Sequence, residues 1–97
     1  MEERDYLIIL YDFYCELLND KQKEYFEDYY FNNLSLGEIS ENTGISRNAI
    51  HKSIKIVCEK LYFYEEKLNL YKKKQLLKEY ISGLDDVNIK NKINELY

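Results

Sequence analysis

Residues 34–56, LSLGEISENTGISRNAIHKSIKI, constrain the fold more than any other part of the chain. Ser35 and Glu38 have the spacing of a capping box, in which each side chain pairs with a backbone N–H at the start of a helix. Gly44 can adopt the left-handed conformation that ends a helix, and Ser46 can cap the next one. The segment therefore predicts two short helices joined by a tight turn, which is a helix-turn-helix.

Apolar residues in this segment fall at the three- and four-residue spacing of a single helix face. Ile39 on the first helix is expected to pack against Ile50 on the second, and Ile45 is expected to fill the corner between them. The predicted buried face of the second helix consists of Ala49, Ile50, Ile54 and Val57. This register predicts that the two helices share one core.

The opposite face of the second helix is polar and basic. If nucleic acid is bound, Arg47 and Asn48 at the helix start, with His51 one turn later, are placed to reach base edges. The residues placed to hold phosphates are Ser46, Lys52 and Lys55. Duplex RNA would be contacted through shape and phosphates, because its major groove is too deep and narrow for a helix.

Two further helices are predicted before the helix-turn-helix. The first covers residues 5–18 and is apolar on nearly all sides, so it must be covered on more than one side. Asn19 and Gln22 form a second capping box, and the helix that they start is expected to run to about Phe31. The tyrosines of this second helix follow the spacing of a buried face, which favours a core role over a base-stacking platform.

The composition predicts a single all-α domain. The chain has 97 residues, of which 45% are hydrophobic and 33% charged, and these are values of a globular protein. It has no proline and three glycines, so long helices are not interrupted. We expect a helix-turn-helix bundle with a long C-terminal helical extension. We expect residues 1–97 to form one domain, with the helix-turn-helix core at 19–66 and a helical tail at 67–97.

A long apolar repeat continues beyond the helix-turn-helix. No stop signal follows Arg47 until Ser82 and Gly83. The repeat consists of Ile50, Ile54, Val57, Leu61, Tyr64, Leu68 and Tyr71. One continuous helix of this length would extend about 50 Å, which is too long for a compact domain of this size. Either the chain breaks near residues 67–69 and folds back, or a second molecule covers the far half of the repeat.

The second alternative predicts a homodimer. The residues expected at its interface are Leu61, Leu68 and Tyr71, where the repeat would pass the edge of the domain. A short closing helix is also predicted, with an apolar stripe of Ile89, Ile93 and Leu96.

Enzymatic chemistry is not predicted. His51 lies on an exposed helix face without a nucleophile or carboxylate at a spacing that would orient it. Cys15 and Cys58 are isolated from each other and from any metal-ligand spacing, so we interpret them as core residues and expect neither a metal nor a cofactor. No apolar run is long enough to cross a membrane, and the first residues are acidic where a secretory signal would be basic. We expect a cytoplasmic protein without membrane insertion.

Several motifs resemble a known family. The stretch LNDKQKEYFEDYYFNNLSLGEISENTGISRNAIHKSI is similar to the region of bacterial sigma factors that binds the promoter −35 element. With LYDFYCELL before it and YEEKLNLY after it, the sequence resembles the YlxM-like family of small bacterial proteins over residues 6–71. The resemblance implies an all-helical fold, a nucleic-acid-binding surface and a regulatory role in the signal recognition particle pathway of protein targeting.

Charge is distributed unevenly along the chain. The net charge is −4, but residues 1–46 carry three basic and eleven acidic side chains, whereas residues 47–97 carry eleven basic and seven acidic. Three full charges on the second helix would give weak binding that salt weakens further. Three functions remain open: contact with RNA or protein in a targeting complex, sequence-specific DNA binding as a transcriptional regulator, and a dimeric protein-interaction module that binds no nucleic acid.

Overall fold

A computed structural model describes residues 3–83 together with residues 91, 92, 94 and 95. The described chain forms five α-helices, with a short 3₁₀ turn at Cys15–Leu17 between the first two. Their bounds are α1 Glu3–Tyr14, α2 Asp20–Tyr30, α3 Leu36–Thr43, α4 Arg47–Leu68 and α5 Leu70–Ser82. The all-α prediction is confirmed. The first helix is shorter than predicted, because the chain tightens into the 3₁₀ turn before Leu18 becomes extended.

The helix boundaries follow from the predicted caps. The side chain of Asn19 accepts from the backbone N–H of Gln22, whose side chain in turn accepts from the backbone N–H of Asn19, so α2 begins with a complete capping box. Ser35 and Glu38 make the same reciprocal pair at the start of α3. Gly44 ends α3 with φ of 74°, in the left-handed region where glycine carries no steric cost. These three predictions are confirmed.

Helix α4 is shared by two groups of buried side chains. The first lies between α1, α2 and α4 and contains Leu7, Leu10, Tyr11, Tyr14, Leu18, Phe26, Val57 and Leu61. The second lies between α2, α3 and α4 and contains Tyr25, Ile39, Ile50 and Ile54. Aromatic rings fill much of the first group, where Tyr11 stacks on Phe26 with centroids 4.4 Å apart. The core role predicted for the aromatic residues of α2 is thus confirmed for Tyr25 and Phe26.

Two residues that the sequence predicts to be buried in the helix-turn-helix are exposed instead. Ile45 is 37% exposed and does not fill the corner of the turn. Ala49 is also exposed, because it precedes Ile50 by one residue and one residue turns a helix by about 100°. Both predictions were wrong. Ile39 and Ile50, by contrast, have no exposed area and belong to the same group of buried side chains, as predicted.

The long apolar repeat breaks near residues 67–69, which is the first of the two alternatives given by the sequence. Helix α4 ends at Leu68, and Asn69 adopts a left-handed conformation with φ of 55° before α5 begins at Leu70. Helix α5 then packs against α1, where Tyr71 makes an edge contact with the ring of Tyr6 at 5.8 Å between centroids. The tail therefore folds back on its own chain.

This fold-back changes the prediction for the dimer interface. Leu61 has no exposed area and lies in the core of the single chain, so it must be removed from the predicted interface. Tyr71 is partly buried against the same core, and Leu68 is 43% exposed. The predicted stripe of Ile89, Ile93 and Leu96 lies outside the described residues. None of the described helices has the length and apolar character needed to cross a membrane.

Candidate nucleic-acid interface

The helix-turn-helix presents the first two turns of α4 to solvent. Ile39 from α3 and Ile50 from α4 are fully buried and hold the two helices together at the turn. The side chain of Ser46 accepts from the backbone N–H of Ala49 at 3.2 Å and thereby caps α4. Its hydroxyl can still donate a hydrogen bond, which is the role expected for a phosphate contact.

All six residues predicted to contact nucleic acid are exposed, namely Ser46, Arg47, Asn48, His51, Lys52 and Lys55. The structure brings four of them together, because Ser46, Arg47, Asn48 and His51 line one shallow hollow of about 530 Å³ with Leu36 of α3. Within the part of the chain that is described, the sides of this hollow come from α3 and from the turn and helix start that follow it. The start of α3 therefore forms one side of the candidate interface.

A second hollow of about 240 Å³ adjoins the first and shares Leu36 and His51 with it. Lys55 lines this second hollow together with Glu3 from the start of α1. Lys52 is exposed but lines neither hollow. The six predicted residues therefore form one concave group and two flanking lysines rather than a single flat patch.

Gly37 lies beside the candidate interface, and the sequence analysis did not identify it. A β-carbon added at Gly37 would lie 3.8 Å from Nε of Arg47, so the arginine side chain lies over the first turn of α3. The signal in the sequence was a glycine directly after a capped helix start, but a lone glycine does not show which side chain lies next to it. Packing against α3 restricts where the guanidinium of Arg47 can reach.

The local charge of α4 favours an anionic ligand. The segment from Arg47 to Lys55 carries three positive charges and no acidic side chain. Glu3 is the acidic residue that lines the second hollow, and it accepts a hydrogen bond from Tyr62 at 3.2 Å. Arg4, in contrast, donates to the backbone oxygen of Tyr30 at 2.6 Å, which ties α1 to α2. Arg4 is thus a structural residue.

Cys58 borders the second hollow, but it does not have the properties of a nucleophile. Burial raises the pKa of its thiol, so the thiol stays protonated at neutral pH. Its sulfur lies 3.7 Å from the hydroxyl oxygen of Tyr30. The described residues also contain no group of three or more side chains that could hold a metal ion.

The sequence matches the model of a known protein family. The model of the UPF0122 family, described as "Putative helix-turn-helix protein, YlxM / p13 like", matches residues 1–96. The chain belongs to this family. The family description agrees with the geometry of α3 and α4.

Members of the UPF0122 family from several bacteria are similar to this chain. A UPF0122 protein of Caldanaerobacter subterraneus is 54% identical over 70 residues, covering 72% of this chain and 60% of the relative. UPF0122 proteins of Fusobacterium nucleatum and Listeria welshimeri are each 45% identical and cover 84% and 87% of this chain. Those two alignments cover 81% and 76% of the relatives. The chain thus spans about three fifths of the first relative's length.

Proposed function

We propose that this protein binds nucleic acid through the first two turns of α4. The observation that carries the proposal is the hollow lined by Ser46, Arg47, Asn48 and His51, with Lys52 and Lys55 exposed beside it. These side chains offer hydrogen-bond donors and positive charge on one exposed surface, and phosphates need both.

The positions of the side chains support different roles. Arg47 and Asn48 lie at the start of the helix, where residues of a helix-turn-helix contact base edges, and His51 lies one turn further along. Lys52 and Lys55 flank the hollow, where they are placed to neutralise phosphates. The hydroxyl of Ser46 is placed to donate to a phosphate oxygen.

The charge of the interface limits the affinity. Three cations would release about three counterions, so the logarithm of the binding constant should fall with a slope of about −3 against the logarithm of the salt concentration. The acidic first half of the chain further opposes close approach of a polyanion. We therefore propose that the protein is an accessory or regulatory factor rather than a tight binder.

The class of nucleic acid distinguishes two forms of the proposal. The resemblance to the YlxM-like family favours a role in the signal recognition particle pathway, with the particle RNA or its proteins as partners. The second form is a sequence-specific DNA-binding regulator, and it is favoured by Arg47 and Asn48 at the start of an exposed helix, because that geometry suits the major groove of DNA.

A mobility-shift comparison tests both forms. Duplex promoter DNA and signal recognition particle RNA would be titrated at two salt concentrations with the wild-type chain and a variant carrying Arg47→Glu, Lys52→Glu and Lys55→Glu. We expect the wild type to bind one of these ligands and the variant to lose at least about tenfold in affinity, since three phosphate contacts become repulsive.

The matched control changes three other exposed lysines to glutamate, at positions 21, 73 and 78. It has the same net charge as the test variant but leaves α4 intact, so it should lose less than about threefold at the higher salt concentration, where long-range effects are screened. Equal losses in both variants would show that net charge, not α4, controls binding. Full affinity of the test variant for both ligands would refute the proposal.

A further inference from the structure

The outward side of α4 carries a largely exposed apolar row, at whose end the ammonium of Lys67 lies 5.7 Å from the centre of the Phe63 ring. Ala49, Ile56 and Phe63 follow one another at intervals of seven residues, on the side of α4 away from the buried Val57. Ile56 is 40% exposed and Phe63 is 54% exposed. A seven-residue apolar repeat on one helix face is the pattern with which a helix packs along another helix.

Charged residues lie along one edge of this row. Lys52 and Glu59 are both exposed and are also seven residues apart. Neither forms an ion pair within residues 3–83, where the one salt bridge joins Lys23 and Glu16. The same edge of α4 therefore offers one unpaired positive and one unpaired negative charge. A second copy of α4 running in the opposite direction would place its own negative charge beside the first and its positive charge beside the second.

We propose that this row binds a second copy of the chain, with the two α4 helices antiparallel and the two-fold axis at Ile56. Ile56 then packs against its counterpart, and the small Ala49 of each copy lies opposite the large ring of Phe63 in the other. Lys52 of each copy comes within about 1.5 Å along the helix axis of Glu59 in the other, so two ion pairs form. In a parallel pair these residues would be about 10 Å apart along the axis.

The small contact area predicts a weak dimer. Stable protein interfaces bury about 1,200–2,000 Å² in total, and two helices in contact over two heptads bury less. A dissociation constant on the order of 100 µM is therefore expected. The pairing would also cover Ala49 and Lys52 within the first turns of α4. Nucleic acid and the second copy would then compete for the same helix, a consequence that rests on the proposed function.

Sedimentation equilibrium without nucleic acid tests the pairing independently of the proposed function. The wild type, Lys52→Glu, Glu59→Lys and an equimolar mixture of the two variants would be measured from about 10 to 500 µM, a range that brackets the expected constant. Each single variant makes both cross-pairs repulsive and should weaken self-association about tenfold or more. The mixture restores both pairs as attractive contacts and should recover the wild-type constant.

Glu24→Lys is the matched control, because it changes the same charge at an exposed position of α2 and should leave the constant unchanged. A wild-type chain that stays monomeric over the whole range would overturn the proposal. So would a mixture that associates no better than the single variants, because only the antiparallel arrangement brings residues 52 and 59 of different copies together.

Discussion

The buried carboxylate of Glu65 is expected to hold α5 in place. Glu65 is 7% exposed, although it is charged. Its Oε1 accepts from the hydroxyl of Tyr14 at 2.6 Å and from the backbone N–H of Tyr71 at 3.1 Å, and its Oε2 accepts from the backbone N–H of Lys72 at 3.2 Å. The hydroxyl oxygen of Tyr14 accepts in turn from the backbone N–H of Leu70 at 3.1 Å. A side chain of α4 thus caps the first turn of α5, and a side chain of α1 completes the cap.

The variant Glu65→Gln keeps the size of the side chain but removes its charge. Hydrogen bonds to a charged acceptor contribute about 1.5–3 kcal/mol and neutral ones about 0.5–1.5 kcal/mol, so each bond to Oε1 weakens by about 1 kcal/mol. The NH₂ group of the glutamine replaces Oε2 and faces the backbone N–H of Lys72. Both groups are donors, so the hydrogen bond from Lys72 is lost. The favourable interaction of a negative charge with a helix N-terminus is lost as well. Because the neutral side chain no longer carries the desolvation cost of a buried charge, part of these losses is offset, and we expect the free energy of unfolding to fall by about 2–4 kcal/mol.

Urea denaturation followed by circular dichroism measures this change. In a thermal melt the melting temperature should fall by at least about 8 °C, because 1 kcal/mol shifts a domain of this size by about 4–8 °C. Hydrogen exchange at Tyr71 and Lys72 should accelerate more than exchange in α3, since the cap acts on α5. Glu66→Gln is the control, because Glu66 is exposed and next to Glu65. A loss below about 0.5 kcal/mol for Glu65→Gln would refute the reasoning, since the relief of desolvation would then cancel the hydrogen bonds.

Two further predictions concern the core. Ile50→Asp should unfold the domain, because it places a charge without a partner at a site with no exposed area. The control Ile56→Asp should leave a folded protein with wild-type helicity, since Ile56 is exposed. A folded Ile50→Asp variant would contradict the packing of α3 on α4. Stability should also fall as the pH rises above about 10, because burial and the bond to Glu65 raise the pKa of Tyr14 from 10.0 to about 12. Burial also raises the pKa of Tyr11 and Tyr30. The folded state holds these protons more tightly than the unfolded state, so the stabilisation is complete below pH 10 and is lost through pH 12; an unfolding free energy independent of pH between 9 and 12 would contradict this.

The sequence analysis located the candidate interface because its signals are local. Arg47 and Lys55 lie on a different face of α4 from the buried Ile50. Which face each residue occupies follows from its distance in sequence from Ile50, so their exposure can be predicted by counting along the chain. The hollow itself could not be predicted, because its other side comes from Leu36 and the path of Arg47 over Gly37 depends on how α3 packs. The exposure of Ala49 was missed because alanine is small enough to occur on either face of a helix.

Helix starts and the turn of the helix-turn-helix follow from residues within a few positions of one another. Ser35 pairs with Glu38 three residues away, and Gly44 accepts a left-handed conformation without a steric cost, so these boundaries need no other part of the chain. The break at Asn69 is different, because the residues around it contain neither proline nor glycine and continue an apolar repeat. It depends on Tyr14 and Glu65, which are 51 positions apart and meet only when α1 packs against α4. Free N–H groups at the start of α5 need acceptors, and the folded core supplies them, so the direction of the tail is a property of the packed chain.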